Sequence, residues 1–384
     1  MQQRESNKRV GKTQQPLIWE TDYIAAEQNL ETIGFFSARY TRPSLRDEKE
    51  LSKVVSLSDG RRIEIVPAAK YGFPNAEDLD FYRGFLKVCD ERASYVKMVD
   101  GDRILYHPQL PVPIAFSTRE LILKAGRRRS GREVVAVRKW IERMASTTIH
   151  GELFNARTRR YDVRLGVEPV FRRYVHVGQP INSDEELARQ NYVWLADWFI
   201  DNYYYLYSRR LDIKFHHRLS HAIAKTLYPI IDNGWFASNG NYFTKRYVDL
   251  CTLLGIRAHR QFSRVRTQLD PSHDELIREQ FLAAYDYSLD EEGQWTGSVR
   301  WRPGPKWLQD QQARGQRRVL ARSTPPSVAS LDGEVVRGSE VPVPTQIALP
   351  LTAAKPVMDE SGYGDYVVRF YERVGQGRPS RDKV

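Results

Sequence analysis

The amino-acid sequence predicts a helix-rich α+β fold, and three observations lead to this prediction. A pattern of one helix, a glycine and a second helix occurs twice, over residues 116–144 and 243–269. Each copy is followed by two strand-like segments that flank a turn. The second helix of each copy carries arginine on the face opposite its apolar residues. Because a helix-turn-helix followed by a β-hairpin is the pattern of a winged helix, we expect two tandem winged-helix domains.

The composition bounds the class of protein. A chain of 384 residues has room for two ordinary domains and a tail. Its net charge of +11 and its pI of about 9.5 favour a polyanionic partner. No apolar run approaches the ~20 residues of a membrane-spanning helix, and the polar, basic N-terminus is unlike a secretory signal. Cys89 and Cys251 lie in apolar helical contexts, so we expect two reduced, buried thiols in a cytoplasmic protein.

Shifts in composition divide the chain into four expected parts. Residues 1–15 are predicted to be disordered, 16–180 to form the N-terminal winged-helix domain, and 190–308 to form the C-terminal one. Residues 309–384 contain scattered prolines and glycines and are predicted to be a flexible C-terminal tail. A short amphipathic helix over 363–374 within this tail is expected to dock a partner.

Capping residues mark the helices of the first domain. A Ser or Asn before a helix accepts a hydrogen bond from a backbone N–H of the first turn, and an acidic residue three positions later completes a capping box. The pairs with this spacing are Asn75 with Asp78, Ser117 with Glu120, and Ser130 with Glu133. Gly126 is placed to stop the helix that Ser117 opens. A hairpin over 54–66 is expected before these helices.

The second helix of the first motif should present two different faces. The residues with apolar helical spacing, expected to be buried, are Val134, Val137, Ile141 and Met144. The opposite face is expected to hold Arg132, Ala136, Lys139 and Arg143. Two strands over 147–154 and 159–165 should follow as a wing, with three arginines at or near its tip.

The second domain repeats this plan with a different wing. Asp212 is expected to cap a helix over 213–231 that bends at Pro229. The first helix of the motif is predicted over 243–254 and the recognition helix over 257–269, which Pro271 should end. The recognition helix is expected to bury Phe262, Val265 and Leu269. Ser272 and Glu275 have the spacing of a further capping box, and the hairpin over 284–302 has an acidic tip at 290–292.

The candidate functional residues are the cations and polar side chains of these two motifs. Arginine can make two hydrogen bonds to a guanine edge, and Ser and Thr can bond bases or phosphates. The predicted DNA-binding residues of the first domain are Arg127, Arg128, Arg129, Ser130, Arg132, Lys139, Arg143, Arg157, Arg159 and Arg160. Those of the second domain are Lys245, Arg257, His259, Arg260, Ser263, Arg264 and Thr267.

Other residue clusters favour structural roles. The aromatic cluster over 194–207 has the composition of a stacking platform for single-stranded bases, but interrupting acidic residues favour a core or domain interface. His217 and His221 are four residues apart without the carboxylate that a zinc protease needs. We therefore expect no metal, no cofactor and no catalysis.

Several segments together carry a resemblance to a known family. These are Phe116–Leu121, Arg138–Met144 with Thr147–Ile149, Asn191–Leu195, Ala224–Tyr228, Phe243–Ile256, and Ser263–Val265 with Leu269. They resemble the replication initiator protein A family of plasmid and mobile-element initiators, over about 33–301. The resemblance implies sequence-specific binding to double-stranded DNA repeats at a plasmid-type origin, help in loading the replication machinery, and no cofactor.

The partners that follow are origin DNA and a host replicative helicase or its loader, with a homodimer left open and no membrane. Two other functions remain open from the residues alone. One is a winged-helix transcriptional regulator, and the other is a nicking or primase-like enzyme.

Overall fold

The structure is a computed structural model, and it describes residues 9–10, 21–38, 52–57, 60–100, 103–181, 186–238, 240, 242–291 and 294–323. These residues form a mixed α/β fold with ten helices and several small sheets. The part of the predicted C-terminal tail from residue 324 onward, which includes the predicted helix over 363–374, lies outside the described residues, as does most of 1–15.

The elements up to residue 175 include the first helix pair. They are β1 (Arg9–Val10), β2 (Tyr23–Glu27), α1 (Gln28–Thr32), β3 (Lys53–Ser56), β4 (Arg62–Val66), α2 (Ala76–Arg92), β5 (Ser94–Asp100), β6 (Arg103–Gln109), β7 (Ile114–Phe116), α3 (Thr118–Lys124), α4 (Gly131–Ser146), β8 (Thr148–Asn155), β9 (Arg160–Pro169) and β10 (Phe171–Val175). Helices α3 and α4 with the hairpin β8–β9 correspond to the first predicted motif.

The remaining elements include the second helix pair. They are β11 (Asn191–Leu195), α5 (Asp197–Tyr204), β12 (Ser208–Asp212), α6 (Ile213–Arg218), α7 (Ala222–Ala237), β13 (Phe243–Arg246), α8 (Tyr247–Leu254), α9 (Phe262–Arg278), β14 (Leu282–Leu289), β15 (Trp295–Pro303) and α10 (Pro305–Ser323). The strands pair in the orders β3-β4-β8-β9, β1-β14-β15-β13, β10-β11-β7, β12-β2 and β5-β6.

The predicted helix starts in the first half are confirmed at the atomic level. Asn75 and Asp78 form both bonds of a capping box, and so do Ser117 and Glu120. Ser130 accepts a hydrogen bond from the backbone N–H of Glu133 and so caps α4, which is one of the two bonds of the predicted capping box; the carboxylate of Glu133 pairs with Arg127 instead. Local spacing predicted these features because both partners of each bond lie within one turn.

The predicted hairpins are confirmed as well. Strands β3 and β4 pair around the Gly60 turn, β8 pairs with β9, and β14 pairs with β15. The pairing of β4 with β8 joins the first hairpin to the second in one sheet, which sequence patterns did not predict. Cys89 and Cys251 are free and buried, as expected.

The hydrophobic core is one continuous cluster that includes residues from both helix pairs. Trp140 of α4 contacts the rings of Phe85, Phe116 and Phe171 in the first half. Strand β2 pairs with β12 along its whole length, so chain segments from either side of the expected boundary near residue 180 form one ladder. The division into domains stays a prediction.

Two expectations about the chain ends are wrong where the structure describes them. Arg9–Val10, expected to be disordered, forms β1 and pairs with β14. Residues 309–323, expected to belong to the flexible tail, form part of α10, which continues to Ser323. Trp307 of α10 packs against Trp235 with ring centroids 5.4 Å apart, and Arg314 bonds the buried Asp232 at 2.9 Å. A basic, glutamine-rich sequence concealed these contacts because their partners are distant along the chain.

Several helix boundaries in the second half also differ from expectation. The helix predicted over 213–231 is two helices, α6 and α7. Just before α7 the carboxylate of Glu275 accepts hydrogen bonds from the backbone N–H groups of Ser220 and His221. Phe243–Arg246, predicted to be helical, is β13, which pairs with β15 and stacks Phe243 on Trp301.

Helix α9 begins at Phe262, later than predicted, and continues through Pro271. Proline removes one backbone N–H from a helix, yet buried side chains on both sides of it, including Leu269 and Leu276, hold α9 in place. The capping box predicted for Ser272 and Glu275 is therefore absent. Ser272 lies buried within the helix, and Glu275 caps the segment before α7 instead.

Candidate nucleic-acid interface

A group of exposed cations lies on α4 and on the turn before it. We call Arg128, Arg129, Arg132 and Lys139 the first basic surface. Helix α4 presents them because its opposite face is anchored by Val137, Trp140, Ile141 and Met144, which are all buried. The side chain of Arg132 is 84% exposed, with a long 3.8 Å contact to Glu77. Ser130 is exposed too, but its hydroxyl caps the helix.

Arg127 does not belong to this surface, which corrects the sequence prediction. Its guanidinium pairs with Asp80 and with Glu133, each at 3.0 Å, and lies over the ring of Phe81. The side chain is largely buried, because the turn folds back onto α2. Arg127 therefore holds the turn in place and leaves its neighbours Arg128 and Arg129 facing solvent.

Asp80 connects this turn to the second half of the molecule. Besides Arg127 it bonds Nε2 of His216 at 2.9 Å and the ammonium group of Lys225 at 2.8 Å. Three cationic or proton-bearing partners hold the pKa of Asp80 far below its usual range, although its burial opposes the shift. Burial lowers the pKa of His216 to about 4, so its imidazole is neutral at pH 7.

Arg143 is a second correction. It was expected on the exposed face of α4, but its side chain is only 8% exposed. The guanidinium pairs with the carboxylate of Asp78 and donates through Nε to the carbonyl of Tyr71 at 3.0 Å. Its neighbour α2 lies on that side of α4, so Arg143 joins the two helices and has no surface to offer DNA. Val134, expected to be buried, is 48% exposed instead.

The hairpin after α4 carries arginines at its tip, as predicted. The side chain of Asn155 accepts hydrogen bonds from the backbone N–H groups of Arg157 and Thr158, which shapes the turn. Arg157 and Arg160 are exposed, whereas Arg159 is half-buried and has a left-handed backbone with φ of 55°. Exposed arginines therefore lie at the tip of this hairpin as well as on α4 and the turn before it.

The second helix pair places its candidate residues on three elements. Ser263, Arg264 and Thr267 are exposed on α9, as predicted. Arg257, His259 and Arg260 lie in the segment between α8 and α9, which corrects their predicted place on the recognition helix. Lys245 lies on β13, is half-buried, and has its pKa lowered by burial.

Three hydrogen bonds shape the segment between α8 and α9. Gly255 ends α8 in the left-handed conformation with φ of 61°, and an added Cβ there would collide with the side chain of Ser37. The backbone N–H of His259 then donates to the hydroxyl of Tyr247, and Gln268 of α9 donates to the carbonyl of Arg257. Tyr247 in turn donates to Gln268, so the two helices and the segment are cross-linked.

The other clusters have structural partners. Trp198, Phe199 and Tyr203 of the aromatic cluster are buried, which confirms the core interpretation for them. His273 accepts a hydrogen bond from the indole of Trp301 at 3.0 Å. Within the described ranges no group of three or more His, Cys, Asp or Glu side chains is arranged to hold a metal ion.

Sequence reasoning missed Val135, which is 54% exposed on α4. A signal for it was present. Including the buried Trp140 in the apolar set centres the buried stripe of α4 on positions 137, 140, 141 and 144. At 100° per residue, position 135 then lies on the opposite side of the helix.

Comparisons with known proteins give only distant similarity. No protein-family model matches the chain, and no curated protein matches it. A crystal structure of selenomethionine derivatives of domains 2 and 3 of RctB overlaps with a TM-score of 0.45 at 14% identity, covering 73% of this chain and 99% of that chain. A second crystal structure of RctB domains 2–3 has a TM-score of 0.37 at 12% identity, covering 67% and 92%. Scores of this size do not establish a common fold or function.

A helix that spans a membrane must be both long and predominantly apolar. In the part of the chain that the structure describes, no helix combines the length and the apolar composition needed to cross a bilayer.

Proposed function

We propose that this chain is a non-enzymatic, sequence-specific double-stranded DNA-binding protein with two winged-helix units, acting as a replication initiator at a plasmid-type origin. The observation that carries the proposal is the first basic surface. Helix α4 exposes Arg132 and Lys139 on one face, follows a turn with two exposed arginines, and precedes a hairpin with an arginine-bearing tip.

Physical chemistry supports duplex DNA as the partner of this surface. Arginine and lysine neutralise phosphates and release condensed counterions, which gives affinity that falls as salt rises. A helix that projects between such contacts can enter the major groove and read base edges. The second helix pair adds Arg257, Arg260 and Arg264 near the start of α9.

The initiator role is supported by the resemblance of the sequence to the replication initiator protein A family. It implies origin DNA and a host replicative helicase or its loader as partners. The structure adds a feature that suits two-site binding, because buried bonds of Asp80 and the β2–β12 ladder connect the two halves. We therefore expect both helix pairs to engage one DNA molecule.

Footprinting on the DNA that flanks the gene tests the proposal. Repeated protected sites beside an origin support initiation, whereas one protected site at a promoter indicates a transcriptional regulator. Arg132→Gln should weaken protection, and Arg278→Gln is the matched control because Arg278 is exposed on α9 but outside the proposed interface. Absence of protection anywhere, with salt-independent binding to all duplexes, would contradict the proposal.

A further inference from the structure

Val135 occupies the centre of the solvent face of α4. The buried positions 137, 140, 141 and 144 define one side of this helix, and residue 135 lies opposite them. Its side chain is a large apolar group at 54% exposure. A β-branched residue is a poorer helix former than alanine, and at this position more than half of its surface faces solvent. Local folding energetics therefore do not account for valine here.

Cations surround this exposed valine. Arg132 lies three positions before it, Arg138 three positions after it, and Lys139 four positions after it, so all three share its face of the helix. Arg138 bonds Glu142 at 3.3 Å across one turn and remains 63% exposed. A partner of this face must therefore offer negative charge on both sides of an apolar group.

Duplex DNA offers this arrangement in the major groove. The phosphates of the two strands flank the groove, and among the four bases only thymine presents an apolar group there, its C5 methyl. We propose that Val135 determines specificity by contacting a thymine methyl in the DNA site, while the surrounding cations hold the helix in the groove. This inference rests on the proposed DNA-binding function and assigns a base type to α4.

Replacing thymine by deoxyuridine tests the inference directly. The preferred duplex is first selected from random sequence with the full chain. Each thymine of that duplex is then replaced singly by deoxyuridine, which removes the methyl and keeps the hydrogen-bonding edge. The wild-type protein should lose about fourfold in affinity at one or two positions, as expected for one buried methyl group.

The variants localise that effect. Val135→Ala should bind the thymine duplex about as weakly as wild type binds the deoxyuridine duplex, and should no longer distinguish the two. Val135→Thr keeps one methyl group and the branched shape, and should retain part of the discrimination. Val248→Ala is the matched control, because Val248 is 62% exposed on α8 and the same atoms are removed. It should keep the wild-type deoxyuridine profile.

The outcomes separate this inference from the proposed function. If Val135→Ala keeps the full deoxyuridine penalty, or if no replacement weakens the wild type, the inference is overturned while DNA binding stands. If the wild type selects no duplex at all, the proposed function fails with it. Thermal melting of each variant in the absence of DNA should show no loss of stability, and Val135→Ala should melt slightly higher than the wild type because alanine is the better helix former at an exposed helix position.

Discussion

The two helix pairs share an outline and differ in where they present charge. In the first pair, a capped helix follows a tight turn, and Arg132 and Lys139 lie on the helix itself. In the second pair, Arg257 and Arg260 lie in the connecting segment, and α9 begins without a side-chain cap. The same sequence outline therefore produces a helix with exposed cations along it in one case and, in the other, a cationic segment before the N-terminus of a helix.

The hairpins that follow the two helix pairs also differ in charge. The first carries Arg157 and Arg160 at its tip, whereas the second carries the exposed acidic residues Asp290 and Glu291. Acidic side chains repel phosphate, so the second hairpin is unsuited to lie along the DNA backbone. We infer that the first pair supplies most of the non-specific affinity, and that the second depends on α9 and the segment before it.

The largest expected effect concerns α10, which supports the second pair. A chain ending at residue 304 loses Lys306, buried at 2.9 Å from Asp212, and Arg314, bonded to Asp232. The loss leaves the buried Asp212 without the Lys306 cation and leaves Asp232 with Arg209 but without Arg314, which should cost several kcal/mol, a large part of the stability of a typical domain. A chain ending at residue 323 is the control and should fold like the full chain.

Hydrogen exchange measures the outcome for each pair separately. Protection of α8 and α9 should fall much more than that of α3 and α4 in the shorter chain. Equal protection in the chains ending at residues 304 and 323 would show that α10 is dispensable. If protection falls equally in both helix pairs, α10 does not support the second pair in particular.

The next effect separates two arginines of α4 that look alike in sequence. Arg143→Leu breaks the buried pair with Asp78 and should lower the free energy of unfolding by about 3–5 kcal/mol. Arg132→Leu removes an exposed side chain and should change it by no more than about 0.5 kcal/mol. Urea unfolding of both variants makes the measurement. Similar losses for the two would mean that Arg143 is not the structural member of the face.

The pH dependence of stability tests the two buried histidines, His216 and His273, one at a time. Burial lowers the pKa of His216 to about 4 and that of His273 to about 3, below the usual value of about 6.5. The unfolded chain then binds more protons between these limits. The stability that each neutral histidine contributes is present above pH 6.5 and is lost as pH falls toward 4, by about 1.4 kcal/mol per pH unit.

Because burial raises the pKa of Glu27 to about 7 and so opposes this trend, the slope is best read as a difference between variant and wild type. His216→Gln and His273→Gln should each reduce the slope between pH 4.5 and 6 by that amount. An unchanged slope would show that the histidine in question is not neutral when folded.

The smallest expected effects are on DNA affinity, and they distinguish a side chain that contacts a base from side chains that contact the phosphate backbone. Arg264→Ala on α9 should cost about 1–3 kcal/mol of binding and relax sequence preference if its side chain reaches a base. Arg157→Ala with Arg160→Ala at the first hairpin should weaken binding to all duplexes alike and reduce the salt slope by about 0.9 for each lost phosphate contact. Titrations of specific and scrambled duplexes at several salt concentrations separate the two, and the reverse pattern would exchange their roles.

Local signals in the sequence determined the starts of α2, α3, α4 and α6 and the three hairpins that were expected. The capping pairs at Asn75, Ser117 and Ser130 lie within one helical turn, so both partners are visible in a short window. The exposed cations Arg132 and Lys139 followed from the period of α4, and Arg128 and Arg129 from their place in the turn before it. Charge and spacing therefore sufficed to find the first basic surface.

Only the tertiary structure decided which charged residues turn inward. Arg127 and Arg143 have the same local pattern as their exposed neighbours, but α2 places Asp80 and Asp78 against them. Likewise Glu275, more than 50 positions away, bonds the backbone between α6 and α7, and Asp232 pairs with Arg314 of α10 in the core. Such pairs depend on the packing of elements distant in sequence. A buried charge takes the nearest opposite partner because leaving it unpaired costs more than any local preference.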